Sequence, residues 1–207
     1  MRSALAFALM VPLVALTIAP SISAKVPEPS LYAISWELNF KHSIAKRVVV
    51  DSAAYWYLTY TVTNKSGQEQ TWRPDFEMMT DDGKIIRSDH GIGVEVFDKI
   101  KATEGNKFLQ PAVQVAGPLR QGEDQAKDGV AIWKEPAPRM GSFKIFIQGL
   151  SGEKVPLTDD DGKGMKDADG LPLFLRKTLE LDYQIYGDEF YPDRHAVNEL
   201  GHKWVMR

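Results

Sequence analysis

"YWYLTYTVTNKSGQEQTWRPDFEMMTDDG", Tyr55 to Gly83, is the stretch whose reading decides the fold. Trp56, Leu58, Tyr60 and Val62 share one parity, and Tyr55, Tyr57, Thr59, Thr61 and Thr63 share the other. That two-residue period, in β-branched and aromatic residues, predicts a central strand with an inner and an outer face. "NKSG" then supplies turn chemistry, with Gly67 free to take positive φ, so a hairpin return is expected. Past Pro74, Phe76 and Met78 again share a face, and Asp82-Gly83 is expected at the centre of a second tight hairpin before Ile85. The acids of the stretch are thereby turn residues. Tyr55, Tyr57 and Trp72 are left as the candidate binding surface, because parity alone does not bury them.

The same period extends outward. Ile34, Trp36, Leu38 and Phe40 alternate with Ser35, Glu37 and Asn39, and a shorter strand, "KRVVV", follows. Between residues 89 and 105, Ile92, Val96 and Ile100 recur at four-residue spacing with Phe97 beside them. Glu95 sits one turn before Lys99, and Ser88 or Asp89 is placed to cap. A short helix lying on the sheet is expected there, although Val94 and Val96 also permit a strand. "AVQVAGPL" (112–119), "GVAIW" (129–133) and "SFKIFIQGL" (142–150) read as further strands, as does part of "LFLRKTLELDYQIYGD" (173–188). No 20- to 50-residue repeat is visible, which argues against a propeller or solenoid. The fold class expected is mainly β: an immunoglobulin-like antiparallel β-sandwich over residues 31–151, with a helical insert and a C-terminal extension, 152–207, packing on it.

The 207-residue chain opens with Arg2, an apolar run from Ala4 to Ala19 and small residues ending in "SISAK". These are the parts of a secretory signal peptide, residues 1–24, with cleavage expected after Ala24. The alternative, an uncleaved anchor, is opposed by the shortness of the run and by Pro12. "KVPEPS", 25–30, reads as a flexible leader. The mature chain is expected to be periplasmic or extracellular, without membrane insertion. Losing Arg2 takes the formal charge from −3 to −4. No basic field for nucleic acid exists. Cysteine is absent, so the fold rests on apolar burial, and thiolate metal sites and thiol nucleophiles are excluded.

"YLTYTVTNKSGQ", "FEMMTDDGKII", "LRQGEDQAKDGVAIW" and "FKIFIQGL" together resemble the bacterial extracellular immunoglobulin-like domains called telokin-like. Asn64, Gly67, Asp81 to Gly83, Gly122, Glu123 and Gly129 to Trp133 stand where that family has its turns and its buried strand. With "GLSGE", "LRKTLELDY" and "KWVMR" added, the mature chain looks like a family of secreted proteins of planctomycete-type bacteria. The resemblance implies secretion and a sandwich, and carries no catalytic residues.

Candidate chemistry is sparse. His42, His90, His195 and His202 form no zinc-ligand spacing, although His195 and His202 follow Asp188, Glu189 and Asp193 closely enough to meet them. The acidic loop 159–170 offers carboxylates of the kind calcium takes but lacks the EF-hand frame, so it reads as an exposed loop. Ser151 in "GLSGE" lacks the second glycine of a nucleophile elbow, and no phosphate-binding loop occurs. No catalytic, cofactor or metal residue is therefore assigned. The leading expectation is a non-enzymatic exported protein acting as an interaction or structural module at the cell envelope, with an envelope protein or a glycan as partner. A glycan-binding accessory domain is the alternative, and a hydrolase with a site near the C-terminal extension is the third reading.

Overall fold

A computed structural model describes residues 26–32, 34–136, 140–187 and 196–207. The expected signal peptide lies outside these residues, as do His195, Asp188, Glu189 and Asp193. The protein is mainly β. Its strands are β1 (Leu38–His42), β2 (Lys46–Val50), β3 (Ala53–Asn64), β4 (Gln70–Trp72), β5 (Asp75–Thr80) and β6 (Ile85–Arg87). Helix α1 (Val94–Glu104) follows, then β7 (Gln110–Pro111), α2 (Ala112–Val115), β8 (Gly117–Leu119) and β9 (Lys127–Lys134). β10 (Ser142–Gln148), β11 (Lys154–Pro156), β12 (Phe174–Tyr186) and β13 (Ala196–Met206) complete the chain.

Two larger sheets face each other. In the first, β3 is central: β9 runs along one edge, and β1 and β2 share the other, β1 against Tyr60–Asn64 and β2 against Ala53–Tyr57. β2 and β3 meet at Asp51 and Ser52, both at positive φ (48° and 65°), the geometry of a two-residue hairpin turn whose twist matches the flanking strands. The second sheet runs β11-β12-β10-β5-β6, with β13 on β12. Residues 152–207, expected as an extension packed on the sandwich, thus supply three strands of this sheet, and Leu179, Leu181, Tyr183 and Ile185 of β12 are core.

The parity of β3 is the one its sequence dictates. Trp56, Leu58, Tyr60 and Val62 are buried between the sheets. Rings meet across the gap: Trp56 lies 5.3 Å from Phe143, Tyr60 4.9 Å from Phe76, and Phe76 6.5 Å from Trp133, centroid to centroid. Tyr57 points the other way, into a second cluster formed by Val130 and Ile132 with Val96 and Ile100 of α1. The expected helix therefore lies on the outer face of the first sheet. Its N-cap is Gly93, with no side-chain cap bond, in place of the expected Ser88 or Asp89; Gly105, at φ 65°, closes it by donating to the Lys101 carbonyl.

Three local expectations need correction. The turn after Asn64 does not return a hairpin partner to β3, because β9 and β1 occupy both its edges. β4 pairs instead with β8 in a small separate sheet. Asn64 is fully buried, its amide donating to the Gln68 and Leu119 carbonyls and its carbonyl oxygen accepting from Ser66. In the second hairpin, Asp81 and Asp82 take the centre and Gly83 (φ 83°) follows them; Gly83 donates to the Thr80 carbonyl and Thr80 to that of Lys84. This is the three-residue loop with a left-handed glycine. In "AVQVAGPL", residues Ala112–Val115 are one helical turn and only Gly117–Leu119 is strand. Pro111 is the extended N-cap (φ −71°, ψ 159°), and the Ala116 N–H closes the turn on the Ala112 carbonyl.

Candidate functional site

Tyr55, Tyr57 and Trp72 do not form an exposed surface. Trp72 is fully buried, edge-on to Tyr60 at 6.5 Å. Tyr57 is 2% exposed and Tyr55 is half-buried against the cluster under α1. The Tyr57 hydroxyl donates to Glu104 Oε1 at 2.7 Å, and Lys46 Nζ reaches both oxygens of the same carboxylate at 2.9 and 3.0 Å. Burial, then the Glu104 contact, hold the Tyr57 phenol above its ordinary pKa. Burial opposes the charge on Glu104, but Lys46 and Tyr57 outweigh it, so its carboxyl lies below the usual range. The trio bolts the end of α1 to the sheet, and sequence spacing could not show that because its members come from three elements.

The other groups with chemical potential are likewise tied into structure. Ser151 is buried, and its Oγ accepts the Glu153 N–H at 3.1 Å, as a turn serine does. His42 and His202 approach the Glu199 carboxylate from two sides, at 3.7 and 3.5 Å, with His202 largely in solvent; His90 is exposed. In the acidic loop, Asp159 and Asp167 stand eight residues apart and do the same work. Each carboxylate accepts two backbone N–H groups of its own turn: Asp161 and Lys163 for the first, Asp169 and Leu171 for the second. Among the described residues no three His, Asp or Glu side chains are grouped to hold a metal ion. No described helix is long and apolar enough to cross a membrane.

A different feature stands out, at the N-terminal leader. Lys177 and Glu153 are 3% and 4% exposed. Lys177 Nζ lies 2.7 Å from Glu37 Oε1, 3.3 Å from Glu153 Oε2 and 5.1 Å from the Trp204 ring. The pair grips the main chain of Ser30: its N–H donates to Glu153 at 2.8 Å and its carbonyl accepts from Lys177 at 3.2 Å. Burial opposes the charge on Lys177, but Glu37 and Glu153 outweigh it, leaving the amine above the ordinary lysine range. For Glu153, burial is likewise outweighed, by Ser30 and Lys177, and its carboxyl is held low. A few residues on, the Trp36 carbonyl accepts the Gly152 N–H at 3.0 Å, and Glu37 bridges to Ser151. No side chain fits at Gly152, where a Cβ would fall 2.4 Å from both Ser35 Oγ and Trp36 Nε1.

Between these two fixed points the chain faces solvent with apolar side chains. Leu31 is 96% exposed, Tyr32 83% and Ile34 71%. The alternation that Ile34 opens therefore does not begin a strand there; the ladder starts at Leu38. The fixed points were not legible in the sequence, because Lys177 and Glu153 read as ordinary charges in polar surroundings and only the folded chain brings them to Ser30.

Comparison of the chain with protein-family models, curated proteins and solved structures returns no match.

Proposed function

We propose that the protein is an exported, non-enzymatic interaction module of the cell envelope, built on an immunoglobulin-like sandwich of the telokin-like kind and delivered by the signal peptide at residues 1–24. The observation that carries this reading is the segment Leu31, Tyr32 and Ile34, exposed between two fixed points. Large apolar side chains grouped in solvent are costly unless a partner covers them. Holding their backbone in advance lowers the entropy lost when the partner arrives. The distribution of charged groups agrees, since Glu104, Glu153, Lys177 and Arg47 each tie elements of the fold together. The partner is an envelope protein with an apolar recess for Tyr32 and its neighbours.

The test is photo-crosslinking in the native envelope with a benzophenone side chain in place of Tyr32. One discrete protein adduct, lost when Leu31 and Ile34 are both changed to Ser, is expected. Absence of an adduct sinks the proposal. Retention of the purified protein on an envelope polysaccharide, abolished by Tyr32→Ala, replaces it with the glycan-binding reading.

A further inference from the structure

A cavity of about 740 Å³ lies along β2, and its lining includes six consecutive residues, Ile44 to Val49. Successive residues of a strand point to opposite faces, so a cavity touching both parities wraps around the strand's edge. One flank is the helix side, with Tyr57 and Lys99 of α1; the other is the inter-sheet side, with Trp56 and Val197 of β13. β2 pairs with β3 along one edge, and among the described residues nothing pairs with the other. A free strand edge with room on both flanks is the shape an added strand fills: main-chain bonds to the edge give affinity and alternate side chains read the flanks.

We infer that β2 receives an extended segment of a partner protein, one that alternates apolar residues toward Val49 and Val197 with acidic residues toward Lys99. The apolar flank is available, since Val49 is 46% exposed. The acidic preference follows from how the cations are spent. Lys46 is held by Glu104 and Arg47 by Glu135, whereas Lys99 has no acidic partner among the described residues. A second copy of the chain fits poorly, because its own β2, Lys46–Val50, carries no acidic side chain to offer Lys99. This assignment is independent of the Leu31–Ile34 segment, and each can fail without the other.

Fluorescence polarisation with a labelled, end-blocked octapeptide of alternating Val and Glu tests it, with matched peptides in which Lys replaces Glu or Pro replaces Val. Saturable binding of the Val/Glu peptide alone is expected. Lys99→Glu weakens it at least tenfold and lets the Val/Lys peptide bind; Val49→Asp weakens the Val/Glu peptide. Both substitutions fall on exposed residues, and thermal melts check that the fold is retained. No saturable binding, indifference to Lys99→Glu, or equal binding of the Pro/Glu peptide, which lacks every second N–H, overturns the inference. So does sedimentation showing that the protein alone dimerises and that Val49→Asp dissolves the dimer, which assigns the edge to a second copy.

Discussion

Residues 32–40 and 55–63 carry the same two-residue alternation, but Trp56 is 3% exposed and Ile34 71%. The difference is in the ladder. β3 has neighbours on both edges over most of its length and a second sheet across from its even face. Among its described residues, the segment 30–37 makes a single bridge, Glu37 to Ser151, and is otherwise fixed by side chains gripping its main chain. Alternation describes what a strand would bury if a sheet received it; it does not supply the sheet.

The sharpest way to break the well-paired half is at Gly129, which sits directly across β9 from Tyr60. A Cβ there would lie 2.4 Å from the Tyr60 ring. The ring cannot retreat, because Phe40 and Phe76 stack on it at 5.3 and 4.9 Å. Gly129→Val is therefore expected to cost more than about 3 kcal/mol, beyond usual overpacking because backbone and ring are both fixed. Urea unfolding measures it. A loss under about 1 kcal/mol would mean the two sheets are looser than their ring contacts indicate.

The leader half breaks at Lys177. Replacing it by Met leaves Glu153 buried without its cation, a change that costs about 3 kcal/mol in comparable buried pairs. It also removes one of the two bonds to Ser30, so limited proteolysis between Leu31 and Ser35 should accelerate more than global unfolding alone predicts. Glu37→Gln, at the more exposed partner, is expected to do much less. If proteolysis merely tracks global stability in both variants, the leader is not fixed by these side chains.

How far each half was legible follows from the same physics. The inner face of β3, the strand nature of β5 and β10, and the helical character of α1 all rest on periodicity within one element, which a sequence displays. The pairing of β4 with β8, the entry of β12 and β13 into the second sheet and the grip on Ser30 depend on which distant elements meet, and local pattern is silent on that. Tyr57 shows the limit within one residue: its face was legible, but that a helix covers that face was not. The Asp51-Ser52 turn carried no glycine to announce its positive φ values. The candidate surface of Tyr55, Tyr57 and Trp72 failed for this reason, as parity cannot say what lies above a face.

An effect of about 3 kcal/mol, present only above the pKa of one carboxyl, probes the edge of the well-paired half. Asp89 lies where the chain passes from β6 toward α1, its N–H donating to the Ile132 carbonyl at 2.7 Å. Burial raises its carboxyl to a pKa of about 6, although the Ser88 hydroxyl, the Ile132 backbone and His90 each pull the other way. A raised carboxyl pKa means the folded state holds the proton more tightly than the unfolded one. Its contribution is fully present below about pH 4 and is lost as pH rises through about 6. Asp89→Asn, which tolerates the left-handed φ of 63°, is expected to add about 3 kcal/mol at pH 8 and almost nothing at pH 3.5. Denaturant midpoints at the two pH values measure the difference, and an equal change at both would remove burial of the charge as its cause.

The smallest expected effect is the one that most directly separates the two halves. Changing Leu31, Tyr32 and Ile34 together to Ser removes three large apolar side chains, which in β3 would cost several kcal/mol. In the leader they touch almost nothing, so folding stability should move by less than about 0.5 kcal/mol. The bonds at Ser30 and Trp36 use main-chain atoms and survive the change, so the exchange of backbone amides there should also be unaltered, as hydrogen exchange can measure. A loss above about 1 kcal/mol would show that these side chains pack on the body of the protein, and their exposure would then no longer mark a surface held ready for a partner.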